Sequence, residues 1–271
     1  MLACPICHTP LMYAQKSYTC QNRHSYDVSK DGYVNLHVVQ HKRSHHAGDT
    51  PESVQARRRF LAGGFYEPLR AKIGEIIAAQ KVHTALDIGC GEGYYTAQIA
   101  KQTHQVFALD IAKPAVKIAA KSYKLSHKNI TWIVGTGSLL PITDNSVDLC
   151  TSLFSPLPKS EMLRVLKDGG LMLMATPAPT HLYALRQGLF DTVNLHEPGK
   201  FVEQMSPEFY LLNTWHVDNE MTLDAQALSD LIDMTPYAYK ARLDKKTALK
   251  SLDGFKVLAS FCVYLFKKCD T

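Results

Sequence analysis

The sequence has no apolar run that approaches the roughly 20 residues of a membrane-spanning helix. It also has no internal repeat, no low-complexity tract and no charged-then-apolar signal segment at its start. These absences argue against a membrane, repeat or secreted protein, and we expect a cytoplasmic one. The 271 residues, of which 46% are hydrophobic, suffice for one large domain and one small domain.

A glycine-rich segment near residue 90 is the most informative feature that is present. Thr84–Ile88 is a short apolar stretch typical of a buried strand, and a helical pattern runs from Tyr95 to Lys101. Between them stand Gly89, Gly91 and Gly93. Glycine tolerates positive φ and lets a ligand lie directly on the chain. Strand, glycine turn and helix in this order predict a nucleotide site at the carboxyl end of a parallel sheet.

The spacing of the glycines favours one kind of nucleotide. Dinucleotide sites use G-x-G-x-x-G, whereas here the spacing is G-x-G-x-G and Tyr94 occupies the position of the last glycine. Asp87 would repel a pyrophosphate but could accept bonds from a cationic amine. The pattern resembles motif I of the class I S-adenosylmethionine (SAM) methyltransferases. The resemblance implies an α/β, Rossmann-like fold whose seven-stranded sheet has one antiparallel strand. A dinucleotide site and a glycine turn without a ligand are the alternatives.

A second acidic strand end follows. Gln105–Asp110 predicts a strand, and Asp110 lies 17 residues beyond Gly93. Nucleoside-binding folds place a carboxylate near this position to accept bonds from the ribose hydroxyls. We therefore assign Asp110 to the ribose and expect Ile111 to flank the adenine. The alternative is a solvated aspartate at the end of a strand.

The next two strand ends supply candidate pocket loops. Ile130–Val134 leads into Gly135–Pro141, where these methyltransferases often carry an acidic residue for the adenine amine and this chain has none. Ser146–Leu153 leads into Phe154–Pro158, which resembles the loop that lines the methyl-transfer pocket, although its prolines could simply end a strand. Three further strands are predicted. One begins after the helix stop in Leu166–Leu171, and the other two cover Leu211–Val217 and Phe261–Phe266.

The cysteines near the N-terminus have the spacing of metal ligands. The pattern is C-x2-C-x12-C-x3-H, formed by Cys4, Cys7, Cys20 and His24. Three sulfurs and one nitrogen fill a tetrahedral Zn²⁺ and leave no open position, which predicts a structural ion. His8 directly follows one ligand and is a poor competitor. The alternatives are unrelated cysteines or a disulfide pair.

Positive charge is concentrated at both ends of the chain. The formal net charge is +5; residues 1–60 hold eight Lys and Arg against four acids, and residues 240–268 hold eight against two. Basic regions that flank a methyltransferase core suggest a polyanionic substrate. For Gln40–His46 and Arg57–Arg59 we favour contact with RNA phosphates. For residues 240–268 ordinary solvated lysines are the better interpretation.

Several separated stretches together point to a narrower family. They are the C-x2-C-x12-C-x3-H motif, Val39–Ser44 with Gly48–Asp49, Gln55–Arg58, Leu86–Thr96 and Met234–Pro236. The combination resembles the large-subunit ribosomal RNA guanine-N1 methyltransferases over essentially the whole chain. The resemblance implies that the N-terminal part grips a hairpin of 23S rRNA and that the product is 1-methylguanine. The overall sequence is more similar to the branch of the family that is not linked to macrolide-type resistance.

The resemblance and the motifs together define a domain plan and a site. The plan is a zinc-binding RNA-recognition module at residues 1–35, a basic linker at 36–53 and a methyltransferase domain at 54–271. The family implies SAM contacts from Tyr66, Gly93–Tyr94 and His181. The full set of predicted cofactor-binding residues is Tyr66, Asp87, Gly89, Gly91, Glu92, Gly93, Tyr94, Asp110, Ile111, Gly137, Ser138 and His181.

The reaction requires the loss of a proton. N1 of guanine is protonated near neutral pH, so a base or a stabiliser of the developing imidate is needed. The segment Phe154–Pro158 contains no carboxylate or histidine, and the sequence therefore identifies no catalytic base. A homodimer is one way to complete the RNA surface. The alternative function is a SAM-dependent methyltransferase of a small molecule or protein in which the zinc module is purely structural.

Overall fold

The computed structural model describes residues 1–38 and 49–269. The strands are β1 (Met12–Ala14), β2 (Ser17–Thr19), β3 (Ser25–Asp27), β4 (Tyr33–Asn35), β5 (Thr84–Ile88), β6 (Gln105–Asp110), β7 (Ile130–Val134), β8 (Val147–Leu153), β9 (Leu166–Pro177), β10 (Phe209–Leu223) and β11 (Phe255–Lys268). The helices are α1 (Pro51–Ala62), α2 (Glu67–Ala78), α3 (Tyr94–Ala100), α4 (Lys113–Tyr123), α5 (Lys159–Val165), α6 (Tyr183–Leu189), α7 (Gly199–Met205), α8 (Ala225–Asp233), α9 (Tyr237–Lys240) and α10 (Leu243–Lys250). None of these helices is long and apolar enough to cross a membrane.

The large sheet has the order β10-β11-β9-β8-β5-β6-β7-β4. Strands β4 to β9 pair in parallel with one another, whereas β11 runs antiparallel to both β9 and β10. The expected Rossmann-like sheet with one antiparallel strand is confirmed. The turn in strand order at β5 brings the carboxyl ends of β5, β6 and β8 together, which is where ligands bind in such folds.

The sheet has eight strands because the N-terminal module (residues 1–35) contributes the last one. β4 pairs in parallel with β7, from Tyr33 opposite Trp132 to Asn35 opposite Val134. The module also forms a bridge from Leu2 to Ile142. The C-x2-C pattern predicts the module but carries no information about this pairing, which depends on residues about 100 positions away in the chain.

The two faces of the sheet are covered differently. Apolar residues of α1, α2, α3, α4, α6, α8 and α10 form one core with one face. On the other face, Leu2, Leu11 and Cys20 of the N-terminal module share a core with α5, α7 and the strand residues Leu86 and Leu109. The module thus takes the place that a helix occupies in an ordinary three-layer α/β fold. The predicted linker at residues 36–53 lies partly outside the described residues, and the domain plan stays a prediction.

Candidate cofactor and metal sites

The glycine turn (residues 89–93) requires glycine at all three positions. Gly89, Gly91 and Gly93 have φ values of +77°, +54° and +88°. A Cβ on Gly89 would lie 2.4 Å from Cβ of Ser155, and one on Gly93 would lie 2.7 Å from the ring of Trp132. A side chain at any of the three positions would be strained, and one at position 89 or 93 would also clash. The turn therefore packs directly against the target loop (residues 154–158) and leads into α3.

Asp110 is bonded to the glycine turn itself. One carboxylate oxygen accepts the N–H of Gly91 at 2.9 Å, and the other accepts the N–H of Ala112 at 2.7 Å. Burial raises the pKa of Asp110, and these two backbone bonds oppose the rise. A carboxylate has about four lone-pair sites, so two backbone donors leave room for further donors such as ribose hydroxyls.

Asp87 lies beneath the glycine turn. It is 2% exposed, and its two oxygens accept bonds from the hydroxyls of Thr96 and Thr151, both at 2.6 Å. Burial raises its pKa, and the two hydroxyls oppose the rise. Because the carboxylate is enclosed by protein, its contact with a cofactor amine stays a prediction.

Two arginines of the basic triplet Arg57–Arg59 form ion pairs with different acids. Nη1 of Arg57 lies 2.5 Å from Asp49 and 4.0 Å from Glu92, over the glycine turn. Arg59 forms a bidentate pair with Asp230, whose side chain is 4% exposed. Each of these two arginines thus already pairs with an acid, and the expected contact of the triplet with RNA phosphates stays a prediction. The other basic stretch, residues 40–46, lies outside the described residues.

Glu92 is a buried acid with incomplete partners. It is 7% exposed, and within the described part of the chain its Oε2 has no hydrogen-bond partner. Burial raises its pKa, while Arg57 lowers it. Burial lowers the pKa of Arg57, but Asp49 and Glu92 raise it by more, so the net shift is upward. Asp87, Glu92 and Asp110 thus gather around the glycine turn, and their combined negative charge favours a cationic ligand.

The loop after β7 reaches the same region. A Cβ on Gly137 would contact Pro158 at 3.5 Å and Ile88 at 3.6 Å, so this loop packs between the target loop and β5. The hydroxyls of Thr136 and Ser138 lie 2.9 Å apart, and Ser138 is exposed. Ile111 is half-buried at the end of β6. The structure therefore gathers the predicted adenine-side residues at one edge of the sheet.

Tyr66 and His181 meet on an aromatic wall. The ring of Tyr66 packs edge-on against Phe261 with 4.9 Å between centroids, and His181 lies 4.7 Å from the same ring. Nδ1 of His181 lies 2.9 Å from the carbonyl oxygen of Ser260. Burial, reinforced by His196, lowers the pKa of His181 to about 3, so its ring is neutral at physiological pH.

Phe154 continues this wall into solvent. Its ring lies 5.5 Å from Phe261 and is 44% exposed. Its φ is +63°, which is unusual for a bulky residue and marks local strain. Neither this conformation nor the part played by Phe261 is predictable from the sequence, because the wall joins residues that lie far apart in the chain.

The predicted metal ligands form one cluster. The ligand atoms of Cys4, Cys7, Cys20 and His24 all lie within 4.8 Å of one another. The sulfurs of Cys7 and Cys20 are 3.7 Å apart, and Nδ1 of His24 lies 3.4 Å and 3.5 Å from the sulfurs of Cys4 and Cys20. A tetrahedral Zn²⁺ with Zn–S bonds of about 2.3 Å separates its sulfurs by about 3.8 Å. The donors therefore fit zinc.

The described residues do not support the alternatives to a metal site, which were a disulfide pair or unrelated cysteines. All seven cysteines, each within residues 1–38 or 49–269, are free of disulfide bonds. His8 is exposed and does not belong to the four-donor cluster. With four protein ligands the ion has a structural role and offers no position for catalysis.

Comparison with known proteins agrees with both sites. Residues 2–45 match a family model described as "RlmA, N-terminal", a zinc ribbon, and residues 85–170 match the model of a methyltransferase domain. The chain also resembles the N-methyltransferase NodS of Bradyrhizobium japonicum, solved with S-adenosyl-L-homocysteine. The TM-score is 0.52 at 12% identity, over 81% of this chain and 100% of that one, and it shows the fold alone.

Two relatives match over most of the chain. A 23S rRNA (guanine(748)-N(1))-methyltransferase of Streptomyces fradiae is 30% identical over 88% of this chain and 85% of its own length. YxjB of Bacillus subtilis strain 168, assigned as a 23S rRNA (guanine-N(1)-)-methyltransferase, is 31% identical over 93% and 92%. With its zinc ribbon and SAM-binding fold, the chain belongs to the family of 23S rRNA (guanine-N1)-methyltransferases.

Proposed function

We propose that this protein transfers the methyl group of SAM to N1 of a guanine in a hairpin loop of 23S rRNA. The observation that carries the proposal is the joint presence, on one chain, of a glycine turn bonded to Asp110 and a complete four-donor zinc cluster. The printed activities of both relatives support the substrate. The alternative of a small-molecule or protein substrate has no comparable support over the whole chain.

The cofactor is assigned to the edge of the sheet where β5, β6 and β8 end. Asp110 takes the ribose hydroxyls, Ile111 flanks the adenine, and Gly137 and Ser138 meet its polar edge. Tyr66 and His181 lie on the side of the methionine part. The backbone of the glycine turn and the negative field of Asp87 and Glu92 complete the site. When bound, SAM supplies an electrophilic methyl group on a cationic sulfonium.

The N-terminal module is assigned to RNA recognition. Its inner residues belong to the core of the sheet, whereas Met12 and Tyr13 on β1 are 72% and 59% exposed. Tyr13 packs against Tyr18 with 5.0 Å between ring centroids and a tilt of 47° between the rings. Exposed aromatic side chains of this kind stack on unpaired bases of RNA loops. A homodimer and a cytoplasmic location stay predictions; light scattering of the purified protein tests the first.

The experiment is transfer of a labelled methyl group to deproteinised 23S rRNA, followed by reverse transcription. A methyl group on N1 blocks Watson–Crick pairing, so a stop is expected at one guanine of a hairpin loop. Asp110→Asn is expected to abolish the stop. Asp144→Asn is the matched control, because this side chain is 69% exposed and pairs with Arg164 at the protein surface. Labelling of another substrate without any RNA stop would contradict the proposal.

A further inference from the structure

The phenolic hydroxyl of Tyr95 is buried without a partner. Tyr95 is the second residue of α3, directly after the glycine turn. Its oxygen is inaccessible to solvent, and no described residue hydrogen-bonds it. A buried hydroxyl of this kind is costly, and proteins keep such groups where a ligand satisfies them.

The surroundings of Tyr95 face the target loop. Its ring lies 6.3 Å from the ring of Phe154, which is strained and exposed. The ionisable groups that act on Tyr95 are Tyr66 before α2, Tyr94 on α3, Glu92 of the glycine turn and Arg57 of α1. The hydroxyl therefore lies between the proposed cofactor residues and the aromatic wall.

We propose that the Tyr95 hydroxyl donates a hydrogen bond to O6 of the target guanine, and that the ring of Phe154 stacks on that base. This inference rests on the proposed function. The Tyr95 hydroxyl supplies a group that the target loop (residues 154–158) lacks. Within that loop, the side chain that could act as a base or stabilise charge is the hydroxyl of Ser155. That hydroxyl already donates to the carbonyl oxygen of Ile88 at 2.6 Å.

The role follows from the charge that the reaction creates. Water takes the N1 proton, and the electron pair left on N1 is delocalised onto O6 as an imidate. N1 then forms its bond to the methyl carbon, the carbon–sulfur bond breaks with its electron pair going to sulfur, and O6 returns to a carbonyl. A donor held at O6 stabilises the imidate and lowers the pKa of N1 in the bound base.

Two properties suit Tyr95 to this role. Burial raises its pKa well above the usual value, so the hydroxyl stays protonated and keeps a proton to donate. His181 on the same wall has its pKa lowered to about 3 by burial and is too weak a base to take the N1 proton efficiently. Stabilisation of the imidate, with solvent as the proton acceptor, is therefore the route that these residues support.

The test compares Tyr95→Phe with Tyr210→Phe. Tyr210 is 47% exposed on β10, at the opposite end of the sheet from β4, so its variant removes a hydroxyl outside the proposed site. Tyr95→Phe is expected to lower the single-turnover rate about 10- to 100-fold, the range for one hydrogen bond to a charged group. Its rate should keep rising to higher pH than that of the wild type, because N1 of the bound guanine regains a pKa closer to that of the free base.

Two measurements without turnover complete this test. The affinity for S-adenosyl-L-homocysteine should be unchanged, and the unfolding midpoint should not fall, since the hydroxyl has no partner to lose. An unchanged rate and pH profile in Tyr95→Phe would overturn the inference, and so would a loss of affinity that matches the loss of rate, because the hydroxyl would then bind the cofactor. If the wild type forms no 1-methylguanine at all, the proposed function fails first.

The stacking role of Phe154 has its own variants. Phe154→Gly removes the ring and relieves the positive φ, so the fold should be retained. The KM for RNA is expected to rise, and Phe154→Tyr, which keeps the aromatic face, should restore it. A rise in KM that Phe154→Tyr does not reverse would contradict stacking.

Discussion

The zinc cluster and the cofactor pocket are built in opposite ways. All four zinc donors lie between Cys4 and His24, and each is held by the short strands and turns of the N-terminal module. The cofactor pocket draws on the glycine turn, β6, the target loop, the turn before α6 and β11, which span most of the chain. A local site can form with its own segment, whereas a dispersed site exists only after the whole sheet has assembled.

The two sites also differ in their electrostatics. The zinc cluster collects donors whose charge the ion neutralises. The cofactor pocket collects Asp87, Glu92 and Asp110, and Arg57 lies 4.0 Å from Glu92. The metal is therefore expected to contribute strongly to folding, while the cofactor pocket holds unneutralised charge that a cation relieves. The predictions below test this division, from the largest expected effect to the smallest.

Cys4→Ser is expected to have the largest effect. Cys4 is fully buried and lies in the same core as Leu86 and Leu109, so loss of the ion also disturbs the sheet. We expect less than one zinc per chain by metal analysis and a loss of several kcal/mol, on the order of 4 or more, in the free energy of unfolding. Cys269→Ser is the control, because that thiol lies outside the cluster. Unchanged stability with zinc lost would show that the two sites are independent.

Asp110→Asn tests the cofactor pocket. The amide keeps the volume and one acceptor but loses the charge and places an N–H₂ group towards the N–H of Gly91 or Ala112. We expect the affinity for S-adenosyl-L-homocysteine, measured by calorimetry, to fall about 100-fold, which corresponds to about 2.7 kcal/mol. Zinc content should stay at one per chain. Equal affinity in the two proteins would remove Asp110 from the ribose role.

Arg57→Gln and Arg58→Gln separate two neighbours in the sequence. The side chain of Arg57 is 25% exposed, pairs with Asp49 and lies 4.0 Å from the buried carboxylate of Glu92, which its removal would leave uncompensated. We expect a loss of about 1–3 kcal/mol in the free energy of unfolding, measured with denaturant. Arg58→Gln should leave stability within about 0.5 kcal/mol, as surface substitutions usually do. A similar loss in both variants would mean that Arg57 has no special role.

The pH dependence of stability provides the finest test of the aromatic wall. His181 has a pKa of about 3 in the folded state and about 6.5 when unfolded. Below pH 6.5 the unfolded chain binds a proton that the folded one does not, so stability is lost as pH falls from 6.5 towards 3. The slope from this residue alone is at most about 1.4 kcal/mol per pH unit. Denaturant unfolding of the wild type and His181→Asn from pH 7 to 5 should show the smaller slope in the variant.

The sequence predicts the local features well. The boundaries of β5, β6 and β7 match the predicted strands, since continuous apolar runs reveal buried parallel strands. The zinc motif and the glycine turn are equally local, and their geometry follows from residue spacing. The roles of individual side chains in the cofactor pocket stay predictions.

The features that the sequence did not predict depend on long-range contacts. The pairing of β4 with β7, the ion pair of Arg59 with Asp230 and the aromatic wall around Phe261 each join residues far apart in the chain. Periodicity reports whether a residue is buried but not which residue it meets. Arg59 shows the consequence, because its sequence context does not reveal the ion pair that it forms with the buried Asp230.

The pairing of β4 with β7 also protects the molecule from self-association. Without β4, the N–H and C=O groups on the outer side of β7 would be open to strands of other molecules. Tyr33 and Val34 are 8% and 1% exposed, so the same short strand also shields apolar surface. A shortened chain that begins at α1 would therefore expose both an unpaired sheet edge and an apolar face. We expect such a chain to aggregate.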